Sequence, residues 1–130
     1  SSTIIETGGV KVGFIGLNVR LQNLVDPMAC EGVQWQNAIN VADQEAQLLK
    51  DKGADIVIAL SHLGYEQGSS SPYYDRGIVM NTRNIDMIIG GHSHTLLHKK
   101  QVVKDAEGDD VIVVQNWKWG LNMGHLTIDF

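Results

Sequence analysis

The stretch "IDMIIGGHSHT", Ile85 to Thr95, places two of the chain's five histidines two residues apart, directly after a short apolar run and a pair of glycines. A third histidine, His62, has a similar address in "ADIVIALSHLG". A neutral imidazole nitrogen is a natural ligand for zinc, iron and copper-class ions. In extended backbone, residues two apart point the same way, so His92 and His94 are expected to face one point. Gly90 and Gly91 remove side chains that would keep the backbone away from an ion or ligand. The plainer reading of a histidine after a strand is a hydrogen-bonded loop residue, and for either motif alone it would stand. Two such motifs at matching strand ends favour metal. His98, in "LLHKK", reads as solvated, and His125 as part of a late strand with its ring on the exposed face.

Counting ligands limits what these residues can do alone. Three imidazoles can hold one zinc ion with an open position, but not two ions, since each takes roughly four to six ligands. Two ions are usually bridged by a carboxylate or hydroxide, and no acidic residue sits conveniently at the same edge. Asp55 and Asp86 begin their strands and belong to the opposite end. Glu66 and Asp75 are nearer, but Asp75 is expected to cap a short helix and Glu66 to be solvated.

The elements that must position the histidines are read from periodicity. "VKVGFIGL" (Val10 to Leu17), "ADIVIAL" (Ala54 to Leu60) and "IDMIIG" (Ile85 to Gly90) are β-branched or continuous apolar runs, typical of strands covered on both faces. From Gln34 to Lys52, Trp35, Ala38, Ile39, Ala42, Ala46 and Leu49 fall at helical spacing, and Gly53 follows where a left-handed C′ residue belongs. Asp26-Pro27 and Gly32 mark a loop before it, and "GYEQGSSSPYY" marks another before a short helix over 75–82. Strand, helix, strand, helix, strand argues parallel pairing with crossover helices. If His62 and His92 end neighbouring parallel strands, they emerge at the C-terminal edge, where open α/β sheets place their sites. After His98, "QVVKD", "DVIVVQN" and "HLTIDF" read as three strands, the first two joined by a hairpin turn at "DAEGDD". The expected fold is α/β, parallel strands with crossover helices followed by a more antiparallel portion.

Composition excludes several functions. The 130 residues carry 10 Lys+Arg against 15 Asp+Glu, a formal charge of −5, and no basic block, which argues against binding a nucleic-acid duplex. No apolar stretch approaches the roughly 18 residues that would span a bilayer. The single cysteine, Cys30, cannot form an internal disulfide. "SSTIIETGG" has no initiator Met and no signal-like segment, and reads as a chain entered partway. "VGFIGLN" after a strand raises a nucleotide-binding module, but the G-x-G-x-x-G turn is absent. A zinc hydrolase using only the three histidines would need a general base, and none is evident.

"KGADIVIALSHLG" followed by "NIDMIIGGHSHT" closely resembles the metallophosphoesterases of the calcineurin-like superfamily, within it the 5′-nucleotidase and 2′,3′-cyclic phosphodiesterase group. "GGVKVGFIGL" resembles the strand that opens the second half of that catalytic domain, and "VIVVQNWKWGLNMGHLTIDF" its last strands, so the likeness runs along nearly the whole chain. It implies half of an αββα sandwich, residues 1–130 being a single partial domain. It also implies two divalent ions in the complete site, zinc, manganese, iron or cobalt, with His62 and His92 on one and His94 on the other. The family's other ligands come from D-x-H, G-D and G-N-H motifs of an upstream half. No D-x-H, G-D-x-x-x-N or G-N-H occurs here, and the only Gly-Asp is Gly108-Asp109 in the hairpin. The family's C-terminal nucleoside-gripping domain has no counterpart either. Asn116-Trp117 follow Gln115, where the family often has Ala-Gly; Trp117 and Trp119 read as strand-edge alternation around Lys118.

The resemblance thus implies a nucleotide or other phosphomonoester as substrate of the parent protein, in a periplasmic, cell-surface or secreted location. This chain would supply three ligands and hold at most one ion, weakly, by itself. The alternative is a non-catalytic half-domain that binds a metal or a partner. A sheet deprived of its other half would expose apolar strands and is expected to self-associate.

Overall fold

The computed structural model describes residues 1–22, 24–66 and 71–129. Six strands form one sheet: β1 (Ser2–Thr7), β2 (Val10–Asn18), β3 (Ile56–His62), β4 (Met87–Gly90), β5 (Gln101–Lys104) and β6 (Asp110–Gln115). Their spatial order is β1-β2-β3-β4-β6-β5. The four inner strands β2, β3, β4 and β6 are parallel, and β1 and β5 close the two edges antiparallel. Two helices, α1 (Ala38–Asp51) and α2 (Asp75–Met80), make the crossovers β2–β3 and β3–β4. The expected mixed α/β architecture is what the chain adopts.

Both helices pack on the same face of the sheet. There α1 (Ala42, Ala46, Leu49) and α2 (Ile78, Val79) meet Ile15, Val57, Ala59, Ile88 and Val113. The alternate residues form a second, smaller cluster of Ile56, Ile58 and Met87 with Val12, Phe14 and Ile112. Neither helix covers this second face, and towards its C-terminal edge Leu60 is 48% and Ile89 42% exposed. Strands with this continuous apolar character are normally buried on both sides. His62 is in phase with Ile56, Ile58 and Leu60, so its ring stands on the uncovered face.

Carboxylates at the other end of the sheet hold strands and turns together, as expected of their position. Asp86 accepts from Val57 N at 2.7 Å and from Lys50 Nζ at 2.9 Å. Asp55 accepts from Lys11 N at 2.7 Å. The hairpin between β5 and β6 is built by Asp105, whose Oδ1 accepts from the amides of Glu107 and Asp109, with Gly108 at φ +93°.

Several expectations are corrected. The first helix begins at Ala38 rather than near Gln34, because Asn37 Oδ1 accepts from the amides of Ile39 and Asn40 and so fixes the start. Trp35 lies outside it and packs edge-on to Tyr73, 5.3 Å between ring centroids. The opening residues form strand β1, which their largely exposed side chains do not announce in the sequence. The closing "HLTIDF" has no strand over residues 125–129, and Phe130 is outside the described residues. Trp117 and Trp119 do not alternate along a strand. Both have φ +62°, beyond the end of β6, and Lys118 Nζ lies 4.1 Å from the Trp119 ring centroid. The loop before α2 is present at 63–66 and 71–74, and its middle, residues 67–70, lies outside the described residues.

Candidate metal centre

The C-terminal edge of the parallel strands carries the site. His62 is the last residue of β3; β4, its parallel neighbour, ends at Gly90, two residues before His92. The rings of His62 and His92 meet with centroids 5.0 Å apart and planes inclined at 67°. A Cβ on Gly91 would approach His62 Nδ1 to 3.2 Å, closer than side chains usually tolerate, so glycine here leaves the ring its place. The pKa of His92 is lowered by burial, and further by the neighbouring His62 and His94. Its lowered pKa favours the neutral form that a metal ligand requires.

The backbone between the histidines is not extended. Ser93 N donates to Gly91 O at 3.0 Å, a three-residue turn centred on His92 at φ +74°. This is the sign of the uncommon, strained form of that turn. His94 is left-handed as well, φ +53°. The alternation rule therefore does not describe His92 and His94, and among the described residues no three His, Cys, Asp or Glu side chains stand close enough to hold one ion. His62 and His92 form a pair; His94, exposed, stands outside it.

A hydrogen-bond network anchored on the buried Gln115 holds this turn in place. Gln115, at the end of β6 and 2% exposed, donates from Nε2 to Gly91 O at 3.0 Å, and its Oε1 accepts from Ser93 Oγ and from Thr95 N. Ser93 Oγ also accepts from Tyr65 N at 3.0 Å, which joins the two histidine loops directly. The buried Gln115 amide needs partners, and it finds them here: Gly91 O accepts from it in addition to the turn's own Ser93 N, and Thr95 N donates to it. Gln115 stood out in sequence only as a landmark, and Ser93 not at all.

Asp75 does not cap the short helix as expected. Tyr74, not Asp75, precedes the first turn of α2, and it makes no side-chain cap. The Asp75 carboxyl is fully buried on the helix-covered face, where Oδ1 accepts from Ser61 Oγ at 2.5 Å and Oδ2 has no partner. Burial pushes its pKa up to about 6, against a smaller lowering by the Ser61 bond. Glu66, by contrast, is solvent-facing and paired with Arg76 at 2.8 Å, as expected of a solvated residue.

A shallow hollow of about 540 Å3 follows the edge past Asn18, Leu60, His62 and Ile89. A larger cavity of about 960 Å3 lies between the end of β2 and the start of α1, lined among others by Arg20, Cys30 and Trp35, and includes none of the histidines. No helix among the described residues is long and apolar enough to cross a membrane.

Comparison with known proteins gives consistent results. Residues 6–96 match the family model of the calcineurin-like phosphoesterases. An apyrase from Anopheles gambiae is 31% identical over 99% of this chain and 24% of its own length. The 5′-nucleotidase of Mus musculus is 28% identical over 99% of this chain and 23% of its own. In three dimensions, a 5′-nucleotidase precursor from Thermus thermophilus superposes with a TM-score of 0.76 at 31% identity, covering 92% of this chain and 24% of that one. The chain thus spans about a quarter of the length of these relatives.

Proposed function

Since the chain belongs to the calcineurin-like phosphoesterase family, in its 5′-nucleotidase group, we propose that it supplies the histidine ligands of a divalent-metal site for hydrolysing phosphoesters, nucleotides among them. The observation that carries this is the 5.0 Å approach of the His62 and His92 rings from two neighbouring parallel strands. His62 and His92 hold one ion. His94, standing outside that pair, is assigned to a second, in keeping with the resemblance. Ions held there would lower the pKa of water and neutralise charge developing on the phosphoryl oxygens.

The chain's own residues hold and orient. Neutral imidazoles donate lone pairs and move no proton. Gln115 and Ser93 fix the turn that presents His92. Gly91 keeps the approach to His62 clear. The acidic chain brings no cationic cluster for a phosphate, so the positive charge of the site is that of the ions.

Residues 1–130 form a partial domain in this reading. The remaining ligands, including a bridging carboxylate, belong to a preceding half of the same domain, which packs on the uncovered face where the His62 ring stands. Support comes from the missing D-x-H and G-N-H motifs, from the lack of a three-residue ligand group among the described residues, and from the quarter-length span of relatives. By itself the chain holds at most one ion, weakly, and is inactive. The test is to mix it with a separately produced upstream half and assay AMP and p-nitrophenyl phosphate with Mn2+. Metal-dependent hydrolysis only in the mixture is expected. A folded mixture that binds metal and hydrolyses neither substrate would overturn the reading.

A further inference from the structure

The buried Asp75 carboxyl has no use in the reading above, and it is costly: one oxygen lacks any partner, in a place where an apolar side chain would pack without penalty. Its contacts all lead to the edge that carries the histidines. Oδ1 accepts a hydrogen bond from the hydroxyl of Ser61, the residue before His62, and Ser61 Oγ in turn accepts from Leu63 N at 3.2 Å. The Asp75 amide donates to Gly64 O at 2.7 Å. On its other side, Oδ2 lies so close to Gly90 that a Cβ there would collide with it, and the same Cβ would come within 3.2 Å of Gln115 Nε2. One side chain therefore touches the end of β3 on one side of His62 and the end of β4 two residues before His92.

We propose that Asp75 is a positioning residue that sets the separation of His62 and His92, acting through Ser61 on one strand and the bare backbone of Gly90 on the other. Its relevance to metal rests on the function proposed above; its effect on the rings does not. The carboxyl works as a spacer with one hydrogen bond. It holds β3 through Ser61 while its second oxygen occupies the gap beneath Gly90, and Gly90 must lack a side chain for that to be possible. Losing such support around a metal ligand typically weakens binding 10- to 100-fold.

The experiment uses the 130-residue chain and its Asp75→Ala, Asp75→Asn and Ser61→Ala variants. Cross-relaxation between the His62 and His92 ring protons is read by NMR, and Co2+ affinity by calorimetry. Loss of the ring-to-ring signal in Asp75→Ala, with its return in Asp75→Asn, which keeps the shape and the acceptor for Ser61, is the expected result. Co2+ binding should weaken at least tenfold in Asp75→Ala and recover in Asp75→Asn. If Asp75→Ala does not fold, Ser61→Ala, which removes the hydroxyl link to Asp75 together with the acceptor of Leu63 N, should show the same loss. An unchanged ring-to-ring signal in a folded Asp75→Ala or Ser61→Ala variant overturns the proposal. Failure of the metal reading looks different: wild type would bind no Co2+, or bind it equally well as His92→Ala, while the NMR arm still decides the role of Asp75.

Discussion

His62 and His92 stand with ring centroids 5.0 Å apart, although 29 residues of chain and a whole crossover helix separate them. Parallel pairing of β3 and β4 brings the two strand ends together. A turn that few non-glycine residues adopt then swings His92 back towards its neighbour. Strain of this kind persists only where the surroundings impose it, and it clusters at functional sites.

That strain is measurable. Left-handed backbone costs an ordinary side chain roughly 1–2 kcal/mol relative to glycine. His92→Gly should therefore be more stable than His92→Ala by about 1 kcal/mol in urea unfolding. Both variants should lose Co2+ binding, which separates the conformational term from the chemical one.

Gln115→Ala removes one hydrogen bond each from Gly91 O, Ser93 Oγ and Thr95 N together. Gly91 O keeps Ser93 N and Ser93 Oγ keeps Tyr65 N, so Thr95 N is the group left without its partner, and a loss of about 1–3 kcal/mol is expected. Hydrogen exchange at Thr95 should accelerate more than exchange in α1, which shares none of these bonds.

Gly90→Ala should destabilise by about 1–3 kcal/mol, since its methyl would meet the Asp75 carboxyl. In Asp75→Ala the obstacle is gone, and the same substitution should cost far less. A double-mutant cycle on urea unfolding measures the coupling.

The Asp75 carboxyl also sets a pH dependence. Its folded pKa, about 6, is above the 3.8 of an ordinary aspartate. The folded state therefore holds the proton more tightly, and stability falls as pH rises from about 4 to about 6. Below that window the carboxyl is protonated in both states and contributes nothing; above it the penalty is complete, about 3 kcal/mol. The stability difference between Asp75→Asn and wild type should move in favour of the variant by that order between pH 4 and pH 7, measured by thermal melting at both.

Leu60 and Ile89, on the uncovered face, are the residues through which the isolated chain should associate. Leu60→Lys with Ile89→Lys should shift its light-scattering mass towards the monomer.

Much of this is legible in the amino-acid sequence. β2, β3 and β4 announce themselves because a strand in the middle of a sheet must be apolar throughout, and the histidines follow from where such strands end. The hairpin at Asp105–Asp109 is equally local, since its bonds lie within five residues. What escaped depends on partners distant in sequence. β1 has largely exposed residues, and only its pairing with β2 makes it a strand. "HLTIDF" alternates like a strand, yet residues 125–129 pair with no strand of the sheet, and alternation alone yields no ladder. An aspartate at a helix start reads as a cap; only the fold reveals Ser61 behind it. Spacing placed His92 and His94 together, but the Ser93–Gly91 bond turns the backbone out of the extended geometry that the rule assumes.

The most direct measurement is anomalous diffraction at the cobalt edge from crystals of the chain soaked in Co2+. A peak within roughly 2.0–2.2 Å of a ring nitrogen of both His62 and His92 is expected. Well-ordered rings with no peak between them, in crystals that take up cobalt elsewhere, would contradict the assignment of this pair as metal ligands.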